Sequence, residues 1–438
     1  MKLNNKGVAL SSIIYSILIL FLILIFGILS ILGSRKLLLD KTKNNVLDKL
    51  NQEDIVENTN YKDPSGANEP ELLDGMVPIM YDTSSGSGKW IVASLENKWY
   101  SYGDKEWANA VILNEGVSKN IGEEVTESDI ALWYVWIPRF KYTLFNTNGG
   151  KYTNCTATSS TNTFPKILVT FEKGIDTTGT VSCIQDLDST LKKTEICSDL
   201  TNNGLIDGVS TYTHPAFTLG DKELTGFWIG KFEISGTTSK INILPNKEPL
   251  NSVVNSLFNA VKNISSSYNI NGDSHMIRNI EWGAVAYLKQ SDYGLGITDI
   301  ARNATSYTGY ANSKSTTYYY SSTNGVKAST TGTIYGVYDM AGGFYEYTMG
   351  TIESTSFDKK YVDMYNSNNL NRLGDAVIET KSFYSDYVQS FDSTRKWYVR
   401  GGYYGASSSY NGVFAYHGSS SNSSLSSYYM TTRAVLTK

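Results

Sequence analysis

The first strong pattern in the chain is an uninterrupted apolar run near the N-terminus. Residues 13–32 contain no charged residue over 20 consecutive positions. At about 1.5 Å per residue, a helix of this length reaches roughly 30 Å, which is the thickness of the hydrocarbon core of a bilayer. The run therefore predicts a transmembrane helix, and apolar residues at helical spacing continue it to about residue 51.

C-terminal to this segment, the apolar residues form short stretches that are separated by residues typical of turns. Residues 52–74 hold acidic residues, prolines and a glycine with little apolar periodicity, which predicts a linker. Residues 75–130 contain short alternating runs, which predict a small β-rich module. Residues 132–144 form a strong strand pattern, and we expect them to open a larger domain over 131–438.

Helical periodicity returns twice inside this larger domain. Residues 249–264 and 274–290 each place apolar side chains on one face of a helix. The remainder consists of short strand-like runs between loops rich in Gly, Ser, Asn and Tyr. Two helices among many short strands indicate an α+β fold.

Composition narrows the functional classes. The 438 residues include 38 Lys and Arg against 42 Asp and Glu, a net charge of -4, so nothing supplies the cationic excess that a nucleic-acid binder needs. Charged residues make up only 18%, and the polarity comes from Ser, Thr, Asn and 32 Tyr. Aromatic residues at 13% argue against a largely disordered chain.

The three cysteines lie in one segment. Residues 147–212 are rich in Thr, Asn and Gly, and we interpret them as an insertion in the large domain. They contain Cys155, Cys183 and Cys197. An odd count outside the cell allows at most one internal disulfide and leaves its pairing open.

The residues before the apolar run carry a processing signal. Asn4-Asn-Lys-Gly-Val8 is a short basic leader that ends in glycine, and it resembles the N-terminus of type IV prepilins, in which a dedicated peptidase cuts after the glycine. The resemblance implies cleavage between Gly7 and Val8, a leader over 1–7 and a pilin-like helix over 8–51. Because Ser12 stands where such pilins usually carry Glu, a plain signal anchor stays open as the alternative. Both predict a membrane-anchored protein that is exposed at the cell surface or associated with a pilus.

Further motifs follow one another in the C-terminal half. They are Gly226-Phe-Trp-Ile-Gly-Lys-Phe-Glu-Ile-Ser235, Gly336-Val-Tyr-Asp-Met-Ala-Gly-Gly-Phe-Tyr-Glu-Tyr347, Val399-Arg-Gly-Gly402 and Thr432-Arg-Ala-Val-Leu436. In this order they resemble the formylglycine-generating enzyme, or sulfatase-modifying factor, family, which is a branch of the C-type lectin fold. The resemblance covers about residues 220–437 and implies a C-type-lectin-like domain. The framework residues that it marks are Asp339, Glu346, Arg400, Gly401, Gly402 and Arg433.

The resemblance does not extend to the chemistry of that family. Its oxidase reaction depends on a pair of C-terminal cysteines that handle copper and the substrate thiol, and this chain has no cysteine after Cys197. The three histidines lie far apart in sequence, and no nucleophile elbow is present. We therefore expect a protein that is not an enzyme and needs no cofactor. Asp339 and Glu346 are either structural hydrogen-bonding residues or ligands of a structural calcium ion.

Residues 403–430 combine tyrosine with serine and asparagine between two framework motifs. This composition suits a binding surface, because a tyrosine side chain gives a large contact area at low entropic cost and the small polar residues can adapt their hydrogen bonds to a ligand. The layout resembles the variable proteins of diversity-generating retroelements, which place a variable region at the C-terminal end of this fold. The resemblance implies ligand-binding positions at Tyr403, Tyr404, Ser407, Ser408, Ser409, Tyr410, Tyr416, His417, Ser419, Ser421, Ser423, Ser424, Ser426, Ser427, Tyr428 and Tyr429.

The predicted function is a surface-displayed protein that binds an extracellular protein or carbohydrate without catalysis. The N-terminal helix would contact the membrane and, in a pilus or pseudopilus, other subunits; nucleic acid is not expected as a partner. A minor pilin or adhesin of fixed specificity is the first alternative, and a formylglycine-generating type of oxidase is the second. A tyrosine-rich loop over 306–322 either widens the binding surface or has no role in it.

Overall fold

The computed structural model describes residues 17–22, 24, 60–84, 86–143, 147–148, 151–152, 166–177, 211–365, 374–377, 380, 383–389, 391–407, 410–421 and 429–438. The chain divides into two compact units, Met1–Asn60 and Tyr61–Lys438. In the first unit, residues 17–22 and 24 are helical. Over the described residues, we find no helix with the length and apolar character that a membrane span requires. The leader, its Gly7–Val8 junction, most of the 8–51 helix, the three cysteines and most of the 147–212 insertion lie outside the described residues.

The second unit is an α+β structure with many strands and few helices, as predicted. The strands are β1 (Met76–Asp82), β2 (Lys89–Val92), β3 (Asn109–Leu113), β4 (Ile130–Pro138), β5 (Phe140–Thr143), β6 (Thr147–Asn148), β7 (Lys151–Tyr152), β8 (Leu168–Phe171), β9 (Thr211–Thr213), β10 (Thr218–Leu219), β11 (Lys222–Glu223), β12 (Gly226–Gly230), β13 (Ser235–Thr237), β14 (Lys240–Asn242), β15 (Asp273–Met276), β16 (Tyr345–Thr351), β17 (Asp363–Met364), β18 (Val388–Gln389), β19 (Trp397–Gly401), β20 (Gly412–Ser419), β21 (Met430–Thr431) and β22 (Ala434–Thr437). The α-helices are α1 (Val254–Lys262), α2 (Ile264–Ser267) and α3 (Asn279–Lys289). Short 3-10 turns occur at Glu127–Asp129, Pro215–Phe217, Thr316–Tyr318, Gly325–Ala328, Lys359–Tyr361 and Phe383–Ser385.

The larger sheet has seven antiparallel strands in the order β15-β22-β12-β4-β3-β1-β2. The central strand of this sheet is β4, and all nine of its residues are buried. Its continuous apolar sequence is the one expected of a strand that is covered on both faces. The chain leaves this strand at Arg139, which divides the predicted 132–144 strand into β4 and β5.

The predicted boundary at residue 130 does not separate two units. Strands β1 to β3 come from the segment assigned to a separate β module, yet β3 pairs with β4 from Asn109↔Val135 to Leu113↔Ile130. The predicted linker also belongs to this unit from Tyr61 onward: Asp63 and Leu73 are buried. The Asp63 carboxylate accepts the backbone N–H of Tyr102 at 3.0 Å. Residues 61–130 are therefore part of the same folded unit as the rest of the domain.

The second sheet carries the C-terminal segment. Its order is β17-β16-β19-β20-β18, and β21 adds to β16 as a parallel neighbour. Helix α3 is buried along all of its residues. The N-terminus of α3 is closed by the Glu281 carboxylate, which accepts the backbone N–H of Arg278 at 2.8 Å.

The two predicted helices begin later than the sequence pattern indicated. Helix α1 starts at Val254 rather than at 249. The start of the predicted 274–290 helix is strand β15, in which His275 pairs with Val435 of β22. His275 lies between Asp273 and Glu281, at 3.1 and 3.0 Å. Although burial opposes the charged imidazole, the Glu281 and Asp273 carboxylates raise the pKa of His275.

Candidate functional site

The motifs that are far apart in sequence meet at one buried arginine. The Arg433 guanidinium binds both carboxylate oxygens of Glu346, with Nε at 3.0 Å from Oε2 and Nη2 at 2.6 Å from Oε1. The same group donates to the carbonyl oxygens of Gly230 and Tyr338, both at 2.9 Å. Arg433 and Glu346 have no exposed side-chain area. Their pairing fixes the end of the chain against two earlier motifs.

Two further carboxylates accompany this pair in the core. Asp339 accepts the backbone N–H of Gly309 and the side-chain amide of Asn303, at 2.9 and 2.8 Å. Burial raises the pKa of Asp339 to about 6 and that of Glu346 to about 7, with Arg433 acting in the opposite direction. Burial and the neighbouring Asp339 and Glu346 raise the pKa of Glu233 well above its usual range. The positive charge of Arg433 lowers the pKa of all three carboxyl groups, but its hydrogen bonds to a carboxylate go to Glu346.

Glu233 connects this cluster to the surface through one hydrogen bond. Its Oε1 accepts the backbone N–H of Phe344 at 2.8 Å. The adjacent Gly343 has a φ of +73°, and a Cβ there would lie 2.6 Å from Glu233 Oε1, so a larger residue would strain the backbone and displace the Glu233 carboxylate. The contact holds the loop that places Phe344 and Tyr345 at the base of the C-terminal segment.

The third motif fixes the start of that segment. Arg400 is buried and donates to Asn279 Oδ1 at 3.2 Å and to the carbonyl oxygens of Asp375 and Ala376, at 3.2 and 3.0 Å. Gly401 and Gly402 both have φ near +80°. A Cβ on Gly402 would lie 2.2 Å from the carbonyl oxygen of Tyr410. The six predicted framework residues are thus buried and are close to one another through the strands that carry them.

Above this framework a continuous series of aromatic rings reaches the surface. We define the tyrosine face as Tyr345, Tyr387, Tyr403, Tyr404, Tyr410 and Tyr429. Ring centroids are 5.0 Å apart for Tyr403 and Tyr404, 5.3 Å for Tyr404 and Tyr429, and 5.3 Å for Tyr345 and Tyr403. His417 joins the two halves, at 4.5 Å from Tyr345 and 6.2 Å from Tyr387, and Tyr387 lies 4.5 Å from Tyr410.

The tyrosine face has a rigid support. Phe344 is 1% exposed and packs beneath two of its rings, 4.9 Å from Tyr429 and 6.1 Å from Tyr404. The backbone N–H of Tyr404 donates to Gly343 O at 2.8 Å, and that of Tyr345 donates to Tyr429 O at 2.9 Å. Five of the six tyrosines are half-buried, and Tyr410 is 42% exposed. The rings are therefore accessible and yet fixed in position.

His417 also lines a cleft of about 310 Å³ beside the face, together with Arg395 and Met430. Burial lowers the pKa of His417 to about 4, so the ring is neutral at physiological pH. Arg395 is engaged elsewhere: its Nε donates to Asp392 Oδ2 at 2.6 Å and its Nη1 donates to Gln389 at 2.9 Å. The cleft thus adds a neutral imidazole to the edge of the face.

The structure divides the predicted ligand-binding residues into three groups. Tyr403, Tyr404, Ser407, Tyr410, His417, Ser421 and Tyr429 are half-buried or exposed. Outside the described residues lie Ser408, Ser409, Ser423, Ser424, Ser426, Ser427 and Tyr428. The last two positions lie in strand β20. Tyr416 is 2% exposed and turns into the core, which corrects its prediction as a contact residue, whereas Ser419 is 5% exposed and lines the cleft beside His417. Tyr416 packs edge-on against Tyr398, at 5.6 Å, and lies over the Arg400 guanidinium.

Three residues contribute to the surface although their sequence pattern did not predict it. Tyr345 lies within the second motif and was not assigned a role. Tyr387 directly precedes β18, and it reaches the face because β18 pairs with β20 and the Tyr387 carbonyl accepts the backbone N–H of Tyr416 at 3.0 Å. Arg302 donates to the carbonyl oxygen of Ala406 at 2.6 Å and so supports the loop after Tyr404. Of the three, only Tyr345 had a local signal, since it directly follows the apolar core of the motif.

The described part of the chain contains no group of three or more His, Cys, Asp or Glu residues arranged to hold a metal ion. Asp339 and Glu346, the two residues considered for calcium, are instead engaged with Gly309, Asn303 and Arg433. We searched protein-family models and curated proteins with this chain, and neither gives a match.

Proposed function

We propose that this chain is a surface-displayed binding protein with a C-type-lectin-like domain of the formylglycine-generating enzyme branch. In this proposal the N-terminal helix tethers it to the membrane or to a pilus, and the tyrosine face binds an extracellular protein or carbohydrate without catalysis. The single observation that carries the proposal is the set of six tyrosine rings, joined through His417, on a buried, hydrogen-bonded support.

The chemistry of the face supports binding. A tyrosine ring contributes a large apolar contact and a hydroxyl that both donates and accepts, while it loses little conformational freedom. Here the rings are already positioned by Phe344 and by the backbone bonds of Tyr345 and Tyr404, so a ligand would meet a preorganised surface.

The segment that carries the face also suits diversification by a retroelement. The framework residues on either side of it are buried, while Tyr403, Tyr404, Tyr410 and Tyr429 project to the surface. Substitutions at those four positions would change the surface and leave the core intact. We therefore propose that the face is a variable one, with a fixed-specificity adhesin as the alternative that population sequencing distinguishes.

The binding proposal is tested with arrays of defined glycans and of extracellular proteins, probed with the purified full-length chain. We expect saturable binding to at least one target and its loss in the triple variant Tyr403→Ala, Tyr404→Ala, Tyr429→Ala, because a few aromatic anchors dominate such interfaces. The matched control is Tyr61→Ala, a half-buried tyrosine that packs against Tyr100. Unchanged binding by a folded triple variant, or no saturable target at all, contradicts the proposal.

A further inference from the structure

Tyr403 contacts three of the other five rings of the tyrosine face. Its ring centroid lies 5.0 Å from that of Tyr404, 5.3 Å from that of Tyr345 and 6.0 Å from that of Tyr429. The ring is nearly parallel to Tyr429, with 18° between the planes, and edge-on to Tyr404, with 68° between them. A movement of Tyr403 therefore changes the arrangement of four of the six rings.

Tyr403 begins a tight turn whose backbone is fixed to the framework. The backbone N–H of Ala406 donates to Tyr403 O at 3.0 Å, which closes a four-residue turn. Within the turn, the N–H of Tyr404 donates to Gly343 O at 2.8 Å, and at its end Arg302 donates to Ala406 O at 2.6 Å. Because the backbone is held in this way, a change inside the turn is absorbed by its side chains.

The third residue of the turn is Gly405, and the Tyr403 side chain lies across it. A Cβ on Gly405 would be 2.1 Å from the Tyr403 hydroxyl oxygen and 2.4 Å from its Cζ, whereas real Cβ atoms do not come within 3.0 Å of another side chain. The φ of Gly405 lies outside the left-handed region, so the backbone would accept an alanine. It is therefore the ring of Tyr403, and not the backbone, that requires a glycine here.

The glycines of the framework are required for a different reason. A Cβ on Gly402 would lie 2.2 Å from a backbone carbonyl oxygen, and one on Gly343 would lie 2.6 Å from the buried carboxylate of Glu233. Both of these glycines also have a positive φ, so a substitution strains the framework itself. Gly405 is exposed, and the three atoms nearest to its added Cβ all belong to the movable end of one tyrosine side chain. The fold can therefore accept a substitution at Gly405 by displacing that ring.

We propose that Gly405 is a positioning residue of the tyrosine face and that it determines which ligands the face accepts. Gly405 has no side chain with which to contact a ligand, and it acts by leaving the space in which the Tyr403 ring lies. Because a few aromatic anchors dominate the energy of such interfaces, relocation of one ring changes the affinity for each ligand by a different amount. The inference rests on the binding role proposed for the face.

The position of the ring is measured without a ligand. A fluorotyrosine is incorporated at position 403 alone in the full-length chain, and its single fluorine NMR resonance is compared between the parent and Gly405→Ala. The matched control is Gly103→Ala, because Gly103 is also an exposed turn glycine and an added Cβ there would have no atom within 4 Å. Both variants should keep a denaturation midpoint close to that of the parent.

We expect the resonance to move in Gly405→Ala and to stay at the parent position in Gly103→Ala. The reason is that only the first substitution takes the space beside the Tyr403 hydroxyl. An unchanged resonance in a folded Gly405→Ala variant overturns the proposal, whether or not the face binds a ligand.

The effect on binding is measured on the same arrays of defined glycans and extracellular proteins. We expect Gly405→Ala to weaken binding to at least one target of the parent chain by about threefold or more, and Gly103→Ala to bind as the parent does. The same substitution is then made in the variant Tyr403→Ala, which keeps the other five rings. There it should have no further effect, because no ring is left to displace.

Two outcomes of the binding experiment overturn the specificity role. One is unchanged binding to every target in Gly405→Ala although the fluorine resonance has moved, and the other is an equal loss with and without the Tyr403 ring. If the parent chain binds no target, the function proposed for the face fails and the specificity role fails with it. The fluorine resonance decides separately whether Gly405 positions the ring.

Discussion

Replacement of Arg433 by methionine tests whether one buried arginine holds the motifs together. The substitution keeps an unbranched apolar stem and removes the guanidinium, which leaves Glu346 without its bidentate partner and the carbonyls of Gly230 and Tyr338 without their donor. Removal of one partner of a fully buried ion pair costs about 3–5 kcal/mol of unfolding free energy. We expect a loss of that size at pH 8.

The loss should be smaller in acid, because the orphaned carboxyl groups can take up protons. In the parent protein the pKa of Glu346 is about 7 and that of Asp339 about 6, and loss of the nearby positive charge raises both. Each unit of additional pKa shift is worth about 1.4 kcal/mol. The destabilisation at pH 5 should therefore be smaller than at pH 8, by at most about that amount for each unit of pKa rise that lies below pH 8.

The assay is urea unfolding followed by tryptophan fluorescence at both pH values. Arg395→Met is the matched control, because Arg395 forms an ion pair with Asp392 in which both side chains are at least one-third exposed. We expect a much smaller change in the control, with little dependence on pH in this range. Equal destabilisation by Arg433→Met at pH 5 and pH 8, or a loss no larger than that of the control, would refute the reasoning.

Three further predictions concern the framework and the face. Gly342→Ala should destabilise the protein more than Gly116→Ala. Both glycines have φ near +80°, but of the two only Gly342 has an atom that a Cβ would meet, Asn303 O at 2.0 Å. Equal denaturation midpoints for the two variants would contradict this prediction. Phe344→Ala should cost about 3–5 kcal/mol of unfolding free energy and Tyr410→Ala less than about 0.5 kcal/mol, because the first is buried and the second 42% exposed; comparable losses in urea unfolding would contradict this. The free energy of unfolding should be highest near pH 5, fall towards pH 8 and also fall below pH 4, and a rise from pH 5 to pH 8 in urea titrations would contradict it.

The sign of that pH dependence follows from the buried groups. The folded chain keeps protons on groups with a raised pKa, so the stability that they contribute is present in acid and is lost as the pH rises through their folded values. These groups are Glu233, Asp339, Glu346, Asp386 and His275. His214 and His417, with pKa values lowered to about 3 and about 4, act in the opposite direction. So do Lys231 and Lys289, because burial lowers the pKa of both amino groups, to about 8 for Lys289. Burial alone would raise the pKa of Glu281, but Arg278 and His275 lower it to about 2, so its contribution is lost below pH 4.

The central strand and the fold class were predictable from the sequence, because both depend on the pattern of apolar residues within short segments of the chain. The run that became β4 is apolar at nearly every position and rich in β-branched and aromatic residues, which is typical of a strand buried on both faces. The boundary at 130 could not be placed in the same way. Whether β3 joins β4 depends on a pairing between Asn109 and Val135, and no periodicity within either segment encodes it.

The predicted start of the 274–290 helix was wrong for the same reason. Residues Asp273–Met276 form β15 because they pair with β22 at the other end of the chain, and this tertiary contact overrides the helical spacing. Among the site residues, the composition of 403–430 identified the tyrosines but not their exposure. Tyr410 and Tyr416 have similar local sequence, but Tyr416 lies in β20 and is buried, whereas Tyr410 precedes that strand and is 42% exposed.

The most direct test of the central claim is deep sequencing of codons 400–433 across one population, together with the flanking DNA. The account predicts a nearby near-repeat with a reverse transcriptase and substitutions at template adenines in the codons for Tyr403, Tyr404, Tyr410 and Tyr429. The codon for Tyr416, whose side chain is buried in the core, should stay unchanged. An invariant segment without a near-repeat, or substitutions that fall equally on the buried positions, would contradict the claim that the tyrosine face is a diversified binding surface.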